Sequence, residues 1–202
     1  MELTTRQMDI IKAAIEIIAR KGYSEFTTKR LARMVGVSEA ALYRHFTSKT
    51  ELVHCILSYF ESLAASSMGN IHESLSDPLD QVKAFVMNRL QLFMDNPDLA
   101  RVMFSEEIYQ NDRSLAEHNL AIMHIHRDQL TKSIQLAQEQ HKICPELDAI
   151  QVFRIIVGAT RLLVTQWQLS GNAFSLLEEG NKLWETVQRL ITPDTHLPNY
   201  NK

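Results

Sequence analysis

The chain has 202 residues, 45% of them hydrophobic, with six glycines and five prolines, so it can bury a sizeable core and is not a disordered chain. Its net charge of −3 is unevenly divided: residues 1–50 hold nine Lys/Arg against five Asp/Glu, a balance of +4, and residues 51–202 hold −7, which suits a nucleic-acid-binding head on an acidic body. The two cysteines, Cys55 and Cys144, have no C-x-x-C spacing, which argues against a thiol redox or structural zinc motif and fits a reducing cytoplasm.

No alternating β-branched runs occur, so an all-α fold is expected. The opening MELTTRQMDII lacks the basic and apolar regions of a signal peptide. No apolar run is read as a membrane span of roughly 18 residues, and a cytoplasmic protein is expected. Thr4–Lys21 is an amphipathic helix on Met8, Ile11, Ile15 and Ile18, stopped by Gly22. Thr27 caps a helix over 28–35. The turn Met34–Ser38 follows, in which Gly36 can take a positive φ and Ser38 can cap a short helix over 39–45. Leu31, Ala32, Val35, Val37 and Leu42 would hold the two helices together. Ser38, Glu39, Ala40, Tyr43, Arg44 and His45 are left facing outward. Two helices around a tight turn form a helix-turn-helix, whose second helix lies in the DNA major groove.

Ser48-x-x-Glu51 is a capping box that starts a long helix at Lys49 with the stripe Leu52, Ile56, Phe60 and Leu63. Asp77-Pro78 and Asn96-Pro97 each place Pro just inside a helix, over 78–94 and 97–109. Ser114-x-x-Glu117 supports a helix over 112–141. Pro145 or Asp148 starts another that runs to Ser170 and ends at Gly171. Ser175-x-x-Glu178 caps a last helix over 176–191, and 192–202 reads as a loose tail. The expected division is a DNA-binding domain at 1–48 and a helical body at 49–202, with helix 49–75 leading into it.

The string TTKRLARMVGVSEAALYRHF, Thr27–Phe46, followed by Ser48–Leu52, resembles the DNA-binding domain of the TetR family of bacterial regulators. The specific part is Tyr43-x-x-Phe46-x-x-Lys49-x-x-Leu52. The close match covers about the first quarter of the chain, and the remainder fits in length and helical pattern. The resemblance implies that Tyr43 and Lys49 clamp the DNA backbone. Lys49 also opens a helix, where free N–H groups and the dipole favour an anion. Thr27 and Thr28 offer hydroxyls and N–H groups at another helix start. Base reading falls to Lys29, Ser38, Glu39, Ala40, Arg44 and His45: Arg pairs with guanine, Glu accepts from cytosine, and Ala touches a thymine methyl. One of Arg44 and His45 is expected on phosphate. Glu39 either reads a base or simply favours the helix dipole.

One short recognition helix reads few base pairs, so a two-fold homodimer on a palindromic operator is expected. Residues 149–170 are apolar nearly all round, and 176–191 carries Leu176, Leu177, Gly180, Leu183, Trp184, Val187, Leu190 and Ile191 at heptad-like spacing. Together they suggest a four-helix interface from two subunits. The resemblance further implies an apolar cavity for a small-molecule effector between the middle helices. Residues of the right kind are Met87, Leu90, Phe93, Met94, Met103, Phe104, Tyr109, Ile122, His126, Arg161 and Trp167. The expected function is thus a transcriptional repressor released by a ligand. The alternative is a TetR-like nucleoid-occlusion or division-control factor, which SEAALYRHF also resembles. No cofactor is expected. His118, His124 and His126 do not suggest a metal site, because His124 and His126 point about 200° apart and His118 lies roughly 12 Å along the helix from His126. Glu106-Glu107 is the sole acid pair near apolar residues, and helix neighbours diverge, so no enzyme is expected.

Overall fold

The computed structural model describes residues 3–193, apart from the side chains of 67–70, 72 and 73, and shows ten helices and no strand among them. Most of the expected tail lies outside the described residues. Contacts group the chain into two compact units: residues up to Ala65 with Asp95–Met123, and Ser66–Met94 with residues from His124 onward. This grouping cuts across the expected boundary after residue 48, because the segment 95–123 packs with the amino-terminal helices.

In the first unit, α1 (Thr5–Lys21) begins with a reciprocal Thr4–Gln7 capping box. Its buried stripe, Ile10, Ile11, Ala14, Ile15, Ile17 and Ile18, is wider than the 3–4 spacing implied, since α2 and α6 both pack on it. Full burial of each such aliphatic side chain contributes about 1.5–3 kcal/mol. Helix α2 (Thr28–Val35) has the expected bounds: Thr27 Oγ1 accepts from Arg30 N, and Gly36 ends the helix at φ 74°, ψ 37°. Helix α3 (Glu39–Tyr43) is two residues shorter than expected and turns out at Arg44. Helix α4 (Lys49–Ser74) starts with Ser48 Oγ accepting from Glu51 N at 3.0 Å. The other arm of that box reaches Thr47, whose N–H and hydroxyl both donate to Glu51 Oε2.

The helix expected over 97–109 is two helices, α6 (Pro97–Met103) and α7 (Glu106–Gln110). The break at Phe104-Ser105 accompanies a tertiary demand on Glu107, whose carboxylate accepts from the backbone of Tyr23 and Ser24. Asn96 makes no side-chain cap bond. Helix α8 (Arg113–Glu139) is opened by Asp112 and not by Ser114: Asp112 Oδ1 accepts from Ser114 N, Ser114 Oγ and Leu115 N.

The second unit holds α5 (Pro78–Asp95), the later part of α8, α9 (Ala149–Leu169) and α10 (Leu176–Ile191), with α9 packed on α10. Asp148, of the two candidates, caps α9 through Gln151 N, and Ser175 caps α10 through Glu178 N. The core includes Val82, Phe85, Leu90, Leu130, Ile134, Val152, Ile156, Val164, Trp167 and Trp184. At Gly180 an added Cβ would lie 2.1 Å from Leu90 Cδ1, so α10 needs glycine there to approach α5. By length and composition alone, α9 is apolar enough to cross a bilayer, a feature sequence reading did not anticipate. Ile155 (52% exposed), Leu162 (59%) and Leu169 (83%) on α9, with Leu190 (72%) on α10, form an outward apolar set.

Candidate nucleic-acid interface

Around the turn between α2 and α3 most of the sequence-predicted residues are exposed. Thr27, Lys29, Ser38, Glu39, Ala40, Arg44 and His45 are exposed, Tyr43 is 47% exposed, and Thr28 is half-buried. Leu31, Ala32, Leu42 and Phe46 are buried beneath them, so the apolar side of each short helix fixes where its polar side points. Val35 and Val37 are only half-buried. Ser38 spends its hydroxyl as the α3 cap, accepting from Ala41 N at 3.1 Å.

Thr28, Glu39 and Tyr43 are linked. Thr28 Oγ1 donates to Glu39 Oε2 at 3.1 Å, and Tyr43 Oη makes a long 3.5 Å contact to Thr28 Oγ1. Glu39 is therefore not merely a dipole partner; its carboxylate is held by α2. Lys49 is half-buried. Its Nζ donates to the Tyr23 carbonyl at 2.8 Å and stands 3.7 Å above the Tyr23 ring centroid. Burial lowers its pKa, and the Glu107 carboxylate opposes that shift. Tyr23 and Glu107 were not legible as partners of this site. Arg33 is exposed one turn beyond Lys29, and the spacing of four places both on one helix face. Arg30, by contrast, is paired with Glu25 at 3.0 Å.

The residues expected to line an effector cavity are divided between the two units. Met103, Phe104, Tyr109 and Ile122 belong to the first unit; Met87, Leu90, Phe93, Met94, His126, Arg161 and Trp167 belong to the second. Leu90, Phe93, Met103, Ile122 and Trp167 are buried. Arg161 is exposed on α9 beside Leu162, next to the buried stripe Val152, Phe153, Ile156, Thr160, Val164 and Trp167. In its place Arg89 supplies the interior cation. Its guanidinium lies 5.4 Å from the Phe85 ring and 6.0 Å from Phe93, and burial lowers its pKa to about 10. Arg89 Nη2 donates to His126 Nε2 at 3.4 Å. His126 is pushed down to about 3, first by burial and then by the Arg89 cation, so it is a neutral imidazole that accepts at Nε2. Gln129, one turn further on, buries Oε1 with no hydrogen-bond partner.

His118, dismissed as a metal ligand with His124 and His126, meets His54 instead, with the Nδ1 atoms 2.8 Å apart. Among the described residues no group of three or more His, Cys, Asp or Glu could hold a metal ion.

The profile described as "Bacterial regulatory proteins, tetR family" matches residues 10–56, and that described as "YsiA-like protein, C-terminal region" matches residues 61–192. The chain belongs to the TetR family. The two profiles divide the chain into an amino-terminal part that holds the helix-turn-helix and a helical carboxy-terminal part. Its fold is that of the fatty acid degradation regulator FadR from Bacillus halodurans, with a TM-score of 0.82 at 18% identity over 93% of this chain and 97% of that one. The ketosteroid transcriptional regulator KstR2 of Mycobacterium tuberculosis aligns with a TM-score of 0.80 at 22% identity, covering 96% and 98%. FadR from Bacillus subtilis, solved in complex with stearoyl-CoA, aligns at 0.76 and 21% identity, covering 89% and 96%. In sequence, the nucleoid occlusion factor SlmA of Vibrio cholerae is 35% identical over 111 residues, which cover 54% of this chain and 56% of that protein. The chain spans about half the length of the curated relatives it matches.

Proposed function

We propose that this TetR-family regulator is a homodimeric repressor that reads a palindromic operator through α3 and is released by a small amphipathic effector. The exposed α2–α3 surface, seated on a buried Leu31–Leu42–Phe46 floor, is the observation that carries the reading. Tyr43 and Lys49 contact phosphate, with Thr27 and Thr28 beside them at the start of α2. Lys29, Ser38, Glu39, Ala40, Arg44 and His45 face the bases, one of the last two reaching phosphate. Phosphate contacts set register, and base contacts set sequence choice. The outward set Ile155, Leu162, Leu169 and Leu190 supports dimerisation through 149–170 and 176–191, since apolar surface of this kind marks an interaction face. That the regulator works in the cytoplasm follows from this role.

The effector reading rests on polar groups set in an apolar interior. Arg89 suits the anionic or carbonyl group of a ligand head, the Gln129 Oε1 acceptor suits a hydroxyl or amide N–H beside it, and Phe85 and Phe93 suit its hydrocarbon part. The complex of Bacillus subtilis FadR with stearoyl-CoA makes long-chain acyl-CoA the first class to try. Thermal-shift measurement with stearoyl-CoA, free stearate and CoA tests this. Stabilisation by the acyl-CoA, with loss of DNA binding, is expected; no stabilisation by any of the three refutes the effector class.

The identity with SlmA favours a second reading, a nucleoid-occlusion factor with many chromosomal sites. Genome-wide mapping of bound DNA separates the two. A few palindromic sites beside genes fit the repressor, whereas sites scattered over the chromosome fit the occlusion factor. Failure to bind duplex DNA at low salt refutes both.

A further inference from the structure

We propose that Glu107 is a positioning residue for DNA binding, holding the Tyr23 turn that in turn holds the Lys49 ammonium ready for a phosphate. The inference rests on the DNA-interface reading above and adds a residue from α7, outside the helix-turn-helix. Helix α1 ends at Lys21, and Gly22, at φ 87°, turns the chain so that the next two N–H groups converge. Tyr23 N donates to Glu107 Oε2 at 3.0 Å, and Ser24 N donates to Glu107 Oε1 at 2.9 Å. One carboxylate thus satisfies two backbone donors that follow a helix end, one on each oxygen. These bonds hold its pKa below the usual carboxylate range, so it stays anionic at neutral pH.

Tyr23 passes the constraint on. Its carbonyl accepts from Lys49 Nζ at 2.8 Å, and its ring lies 3.7 Å beneath the same ammonium. A lysine side chain is ordinarily free about four torsions and loses that freedom when it binds. Here it is already ordered. Its ammonium has three N–H donors; one meets the Tyr23 carbonyl and one side rests on the Tyr23 ring, which leaves one for a phosphate oxygen. The first residue of α4 is thereby pre-arranged by α7.

The test is fluorescence anisotropy with double-stranded DNA of mixed sequence across a salt series, using variants whose helicity and melting are unchanged. Lys49→Ala should weaken binding and lower the salt slope by about 1, since one phosphate contact is lost. Glu107→Gln should weaken binding about tenfold, the cost of ordering one long side chain at the moment of binding, and leave the slope unchanged. In a Lys49→Ala background, Glu107→Gln should have no further effect. Tyr23→Leu, which removes the ring but keeps the backbone, should behave like Glu107→Gln and serves if the latter folds poorly. A merely structural role would instead weaken binding equally in both backgrounds. Additive effects, or full affinity in both Glu107→Gln and Tyr23→Leu, overturn the positioning role while leaving the interface intact. An unchanged slope in Lys49→Ala overturns both the positioning role and the Lys49 contact, and a parent protein that binds no duplex overturns the interface itself.

Discussion

Replacing His126 by glutamine removes an imidazole whose folded state strongly resists protonation. Its pKa of about 3, against an ordinary 6.5, reflects burial first and the Arg89 cation second. The unfolded chain therefore takes up a proton below pH 6.5 that the folded chain refuses. Stability is full above 6.5 and falls as the pH drops toward about 3. Each pH unit inside that window is worth about 1.4 kcal/mol. From neutral pH down to about pH 5 the expected loss is about 2 kcal/mol, a large share of the roughly 5–15 kcal/mol that holds a domain together. Urea denaturation of the parent and His126→Gln at the two pH values isolates this contribution from other titrating groups. The parent should lose about 2 kcal/mol more than the variant on acidification. Equal losses in the two proteins would show that the imidazole is not kept neutral by its surroundings.

Gly180→Ala should cost about 1–3 kcal/mol, because the new methyl collides with Leu90 in a filled core; chemical denaturation measures it, and a neutral result would mean α10 can slide. Leu162→Asp with Leu190→Asp should convert a dimer to monomers without lowering helicity, read by sedimentation velocity, since both side chains point out of the subunit. A variant that stays dimeric places the interface elsewhere. Asp148→Ala should lose about 1 kcal/mol by uncapping α9, whose Gln151 N–H it binds at 2.9 Å. A melting temperature unchanged by that exchange would show that the Asp148 cap adds nothing to stability.

Local chemistry carried most of the helix boundaries. Thr27 with Gly36, Ser38, and Ser175 with its following turn act within four residues, so their roles could be read without knowing the fold. The failures share a cause. The break in the expected 97–109 helix goes with bonds from Glu107 to residues more than eighty positions earlier, and nothing in EEIYQ announces them. Asp112 displaced Ser114 as the α8 cap because an aspartate one residue before the helix reaches two N–H groups at once. At the α2–α3 surface, exposure followed from the spacing of Leu31 and Leu42, but the attachments of Lys49 and Glu39 did not, since one depends on the turn at Tyr23 and the other on α2. On α9 an all-apolar sequence hides which side faces inward; Arg154 and Arg161, seven residues apart and both exposed, mark its outer face.

The hydrogen bond from Thr28 to Glu39 ties a residue on the scaffold helix to one expected to inspect bases. An exchange at position 28 would therefore change the reach of that carboxylate while every side chain of α3 stayed the same. Target preference can drift through a silent neighbour, so two relatives with identical α3 sequences need not answer to the same operator.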